Sequence, residues 1–186
     1  MLVVADPVTF WNTVAEKALA PTQGTNPVDQ SRTYAILPAS IHDALNAIDS
    51  RFASYTLGLA KYEFRHWRPV TAIRNAGSDG NDRTEPDAAW QPFQVTPPVP
   101  DYPSTHPLVG AAAAEILTDS FLDHQPHTAG CSRIFDSFSD AAEENGDSRI
   151  FAGIRFPYAV REGQHDGRRI GRDVGKLLPP VAQSAR

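Results

Sequence analysis

FPYAVREGQHDGRRIGRDVGKLL, residues 156–178, is the stretch whose reading decides the fold class. Gly163, Gly167, Gly171 and Gly175 recur every four residues. At helical pitch that spacing lays them in one stripe along a single face. A face without side chains lets a second helix approach closely, so the segment is expected to be a closely packed last helix. Working outward, HPLVGAAAAEILTDSFL at 106–122 reads as an alanine-rich helix. SRIFDSFSDAAEEN at 132–145 reads as another, ended by Gly146. Near the start, VTFWNTVAEKAL at 8–19 has helical spacing, with Thr9 as its cap. In SRTYAILPASIHDALNAID at 31–49, Tyr34, Leu37, Ile41, Leu45 and Ile48 fall on one side. Pro38 lies inside that pattern and is expected to kink the helix or break it in two. No stretch alternates convincingly with period two. The fold class is all-α, a helical bundle.

Between the helices, the proline content is concentrated. Pro86, Pro92, Pro97, Pro98, Pro100 and Pro103 make 75–106 a long, stiff, irregular segment, the kind of loop that tends to carry function. The division expected is an N-terminal helical arm at 1–58, a helical-bundle domain at 59–180 and a tail at 181–186.

Composition narrows the function classes. Of 186 residues, 41% are hydrophobic and 21% charged, which suits a packed domain. The net charge of -5 argues against nucleic-acid or membrane-surface binding, which needs a basic surface. Cys131 is the single cysteine, so no disulfide forms within the chain. MLVVADPVTF lacks the basic start of a signal peptide, and no apolar run approaches the length of a membrane span. The expectation is a soluble protein, cytoplasmic by default.

Against that acidity stands KYEFRHWRPVTAIR, 61–74, which collects Lys61, Arg65, His66, Arg68 and Arg74. Residues 61–68 are expected to form a helix ended by Pro69, with Lys61 and Arg68 on one face. Two long cations projecting together suit a tetrahedral oxyanion. The plainer reading is a solvated helix face paired with nearby acids. DYPSTHP, 101–107, puts Ser104, Thr105 and His106 where a loop enters a helix, and a helix start offers unpaired N–H groups. Ser104 can cap that helix or bond a ligand. His106 can donate a proton to whatever binds there. GDSRIFAGIRFPYA, 146–159, adds Ser148, Arg149 and Arg155.

Together the three segments resemble the signature of vanadium-dependent haloperoxidases and the phosphatidic-acid-phosphatase type 2 superfamily. The resemblance is to the soluble bacterial haloperoxidase-like branch. Lys61, YEFRHW and Arg68-Pro69 match its first element. Pro103-Ser104-Thr105-His106 matches the second, with Thr for Gly. Ser148-Arg149 begins the third. The resemblance implies that Lys61, Arg68 and Arg149 hold the oxygens of vanadate or phosphate, with Ser104 and the Thr105 amide adding hydrogen bonds. It implies His106 as acid–base, vanadate as cofactor and phosphate as its surrogate. No direct side-chain metal ligand other than the family's histidine is implied. The partner is then a small oxyanion or phosphoester.

That histidine is replaced. Five residues after Ser148-Arg149 the pattern places a vanadium-ligating or nucleophilic histidine, and here stands Arg155, with Ala159 where an orienting acid belongs. A guanidinium has no lone pair to give. His165, ten residues on, is too far along a helix to substitute. The expectation is a haloperoxidase-like protein that binds vanadate or phosphate with impaired turnover. The rivals are an acid-phosphatase-type phosphomonoesterase and a non-catalytic oxyanion-binding or structural remnant. Relatives also carry a longer helical stretch before the Lys–Arg-Pro element, so apolar faces are expected to be left for a homodimer to cover.

Overall fold

The computed structural model describes residues 7–19, 27–46, 64–121 and 135–177. Among the described residues, six helices stand in order: α1 (Pro7–Leu19), α2 (Pro27–Asn46), α3 (Pro69–Arg74), α4 (Thr105–Phe121), α5 (Phe138–Phe151) and α6 (Pro157–Leu177). A 3-10 turn, Ala76–Ser78, follows α3. No strand occurs among the described residues, and the all-α expectation holds.

The glycine stripe works as its spacing predicts. A Cβ on Gly163 would stand 2.5 Å from the Ser104 carbonyl, and one on Gly171 2.8 Å from the Ala112 carbonyl. The backbone of α6 therefore lies directly on that of α4, closer than any side chain would permit. This brings the loop end at Ser104 against α6, which matters for the site below.

One apolar core unites the remaining helices. Trp11 and Val14 of α1 and Ile36, Leu37 and Ile41 of α2 pack on Leu108, Val109, Ile116 and Leu117 of α4. Phe138 of α5 and Ile170 and Val174 of α6 close it. Each such side chain contributes roughly 1.5–3 kcal/mol of transfer free energy. The Ser40 hydroxyl donates to the Ala112 carbonyl across the α2–α4 contact at 3.3 Å.

Three local expectations are corrected. Pro38 does not break α2, which runs unbroken from Pro27 to Asn46. Its ring is exposed, while Ile36, Leu37 and Ile41 around it are buried, so packing keeps both halves in one helix. Gly146 does not end α5. It lies inside the helix, where a Cβ would stand 3.0 Å from Val160 and 2.6 Å from Gln164 of α6. It serves close approach, as the α6 glycines do. Thr9 lies within α1 rather than before it, and its carbonyl accepts from the Thr13 hydroxyl at 2.8 Å.

Residues 79–104 are irregular, as their prolines foretell. Arg74 pins this loop by donating through Nε and Nη2 to the Trp90 carbonyl at 3.0 and 2.9 Å. Among the described residues, no helix is long and apolar enough to cross a membrane. Lys61, His124, His127 and Cys131 lie outside the described residues, as do 20–26 and 47–60.

Candidate functional site

The chain approaching Arg68 is not the expected helix. Phe64 is helical, Arg65 turns through a positive φ of 47°, and residues 65–68 are irregular. Arg68 is extended, with φ -88° and ψ 159°, and Pro69 opens α3 instead of closing a helix before it. The cause is proline itself. It pushes the preceding residue to extended geometry, and its missing N–H costs nothing at a helix's first position. Arg68 is thereby turned inward. Its Nε donates to the Val99 carbonyl and its Nη1 to the Ile154 carbonyl, both at 2.8 Å. Its Nη2 is buried without a hydrogen-bond partner among the described residues.

Asp101, fully buried, ties the three segments together. Its N–H donates to the His66 carbonyl at 2.9 Å. Its carboxylate lies 4.0 Å from Arg68 Nη1 and 3.6 Å from Arg155 Nη1, and accepts from the Phe156 N–H at 3.3 Å. Arg155 Nη1 also donates to the carbonyls of Pro100, at 3.0 Å, and Asp101. Three residues on, the Ser104 N–H donates to the Ala159 carbonyl at 2.9 Å, where α6 begins. The Ser104 hydroxyl is buried and makes no capping bond, nor any other among the described residues.

Arg149, in the last turn of α5, completes the group. It is only 7% exposed, and its guanidinium has no hydrogen-bond or ion-pair partner among the described residues, while its carbonyl accepts from the Ile154 N–H at 3.3 Å. The guanidinium groups of Arg68 and Arg155 thus face the Asp101 carboxylate, and the charge of Arg149 is near enough to act on both. Burial lowers the pKa of each. For Arg155 burial comes first, the charge of Arg68 next, and the value falls to about 9. For Arg68, burial again leads, Asp101 opposes it and Arg149 adds to it. Arg149 is lowered by burial. A buried excess of positive charge is costly until an anion enters.

Thr105 and His106 are half-buried in the first turn of α4, and the His106 carbonyl accepts from Asn145 Nδ2 at 3.0 Å. Ser148 is exposed and donates to the Asn145 carbonyl at 2.7 Å. His165 is exposed on α6, 3.8 Å from both Glu162 and Asp166. These three are the described residues grouped closely enough to ligate a metal, their ligand atoms within 4.8 Å, but Asp166 also pairs with Arg169 at 3.6 Å. Asp101 is the residue that sequence reading passed over. It stands inside DYPSTHP, yet an acid in a proline-rich loop carries no periodic signal.

Residues 44–183 match the family model described as the VCPO second helical-bundle domain. The chain is similar to the crystal structure of the first bacterial vanadium-dependent iodoperoxidase. They share 28% identity and a TM-score of 0.75, over 93% of this chain and 39% of that one. It shares its fold with holo and apo forms of a bacterial vanadium-dependent chloroperoxidase, at 16% and 15% identity and a TM-score of 0.51. Those matches cover 90% of this chain and 47% and 48% of theirs, so the chain spans less than half the length of all three. No curated protein sequence matches it. The expected likeness to vanadium haloperoxidases is borne out.

Proposed function

The chain belongs to the VCPO second helical-bundle domain family, and we propose that it is a haloperoxidase-like domain that holds vanadate or phosphate with impaired turnover. The observation that carries this is the buried group of Arg68, Arg149 and Arg155, two of them facing one carboxylate, with donors at Arg68 Nη2 and Ser104 Oγ unspent. Rigid donors with no partner are what a tetrahedral oxyanion needs, because nothing must be broken before it binds. Arg68, Arg149, Ser104 and the Thr105 amide would hold the oxygens, with Lys61 adding charge. His106, at the start of α4, would be the proton donor.

Those donors fit vanadate as an oxyanion, and equally phosphate. They do not fit vanadium bonded to a side-chain nitrogen at position 155. Arg155 has no lone pair, and its Nη1 already serves Pro100 and Asp101. The same argument removes a nucleophile from that position, so covalent phosphoryl transfer is lost with it.

Thermal unfolding of the protein with and without phosphate or vanadate tests the binding. At a hundredfold excess over Kd, ligand stabilisation is about 2.7 kcal/mol, and no shift with either anion overturns the reading. Halide oxidation by peroxide, rising with added vanadate in the unaltered chain, overturns the impairment. Phosphate release that vanishes in His106→Ala establishes the phosphomonoesterase instead. Arg155→His is expected to gain vanadate-dependent oxidation.

A further inference from the structure

A cluster of rings adjoins the buried ions. The three segments that carry the charges also carry aromatic side chains beside them: His66 before Arg68, Tyr102 after Asp101, and Phe156 and Tyr158 after Arg155. Their ring centroids lie close: Phe64 to Tyr102 at 5.1 Å, His66 to Tyr102 at 5.3 Å, and Tyr158 to both His66 and Phe156 at 5.6 Å. The Tyr158 hydroxyl is 3.2 Å from His66 Nδ1.

Rings and ions are bound into one unit yet differ sharply in exposure. The Asp101 N–H bond to His66 and the Phe156 N–H bond to Asp101 join the two layers. Phe64 is 53% exposed and Tyr158 38%, whereas Arg68 and Arg155 are each 5%. The rings therefore form the solvent side and the guanidinium groups the inner side. Burial, and then the charge of Asp101, raise the Tyr158 pKa, so the phenol stays neutral and does not repel an approaching anion.

We infer that the guest of this site is an aryl oxyanion, a small aromatic molecule bearing a phosphate or phosphonate group. Its charged head would enter the arginine group, and its ring would lie on Phe64 and Tyr158. This rests on the oxyanion reading above and adds the substrate class to it. Charge complementarity selects the head. The ring layer rewards a flat apolar body, which neither inorganic phosphate nor an alkyl phosphonate supplies.

Calorimetric titration of the protein with phenylphosphonate and methylphosphonate, neither of which it can hydrolyse as an ester, tests this. Phenylphosphonate is expected to bind about tenfold more tightly, and Phe64→Ala or Tyr158→Leu to bring the ratio towards one. Phe64 is exposed enough that its loss does not threaten folding. Equal affinities in the unaltered chain overturn the aryl inference and leave oxyanion binding standing. A preference that survives both substitutions overturns it too. Binding of neither phosphonate, with inorganic phosphate equally inert, overturns both readings.

Discussion

Arg155 reaches back to Asp101, bonding its carbonyl and facing its carboxylate at 3.6 Å, and the same carboxylate also faces Arg68. One buried acid therefore sets the geometry of two cations that are distant in sequence. Its removal has consequences for folding and binding alike.

Asp101→Asn leaves Arg68 and Arg155 buried without their counter-charge. Breaking a buried pair from one side costs about 3–5 kcal/mol. Urea denaturation in phosphate-free buffer is expected to show a loss in that range. Added phosphate should stabilise this variant more than the unaltered chain, since the anion replaces the missing charge. An unchanged midpoint would mean that Asp101 is not the counter-ion.

Ser104→Ala should split by sign. Ser104 precedes α4, and losing an N-cap hydroxyl ordinarily costs about 1 kcal/mol. Here the hydroxyl makes no bond among the described residues, so deleting it relieves a buried unsatisfied group. The ligand-free protein is expected to be as stable or slightly more so, while phosphate affinity falls several-fold. Equal losses of stability and affinity would assign Ser104 a capping role alone.

Two glycines of one stripe should respond oppositely. A methyl group on Gly167 would run into the Leu108 carbonyl and stand 3.0 Å from Ala111 Cβ, both on α4. Gly167→Ala is expected to cost about 1–3 kcal/mol. On Gly175 the nearest neighbour would be Ile116 Cδ1 at 3.6 Å, an ordinary contact. Gly175→Ala should gain up to about 1 kcal/mol from helix propensity. Thermal denaturation of the pair decides it.

Asp166 gives a pH signature. Burial first, with Glu162 adding to it, raises its pKa above the ordinary carboxylate value, although Arg169 and His165 pull the other way. The folded state then binds more protons than the unfolded one between the ordinary and the raised pKa. This group's contribution is full below the ordinary value and is lost as pH rises through the raised one. Asp166→Asn is expected to be more stable than the unaltered chain near neutral pH, with the advantage gone in acid. Urea midpoints across the acid range check the sign.

How much was legible depended on whether the signal was local. The stripe at Gly163, Gly167 and Gly171 was readable because helical spacing is a property of neighbouring residues, and α4 and α6 pack along it. The boundary at Pro69 was read backwards. The rule that extends the residue before proline ends one helix or begins another, and local sequence does not say which. That Pro38 does not break α2 was not legible, because the core contacts that keep α2 continuous come from α4, far along the chain.

The sequence by itself determined the helical class, the glycine face and the three short elements that liken this chain to vanadium haloperoxidases. It also determined that an arginine, Arg155, follows Arg149 after five residues. Only the tertiary structure decided that Asp101 gathers Arg68 and Arg155, that Arg68 Nη2 and Ser104 Oγ are left unspent, and that His66, Tyr102 and Tyr158 cluster beside them. The reason is physical. Helix periodicity is written in residues a turn apart, whereas the worth of a buried charge depends on which distant groups share its low-dielectric surroundings, and only folding brings those together.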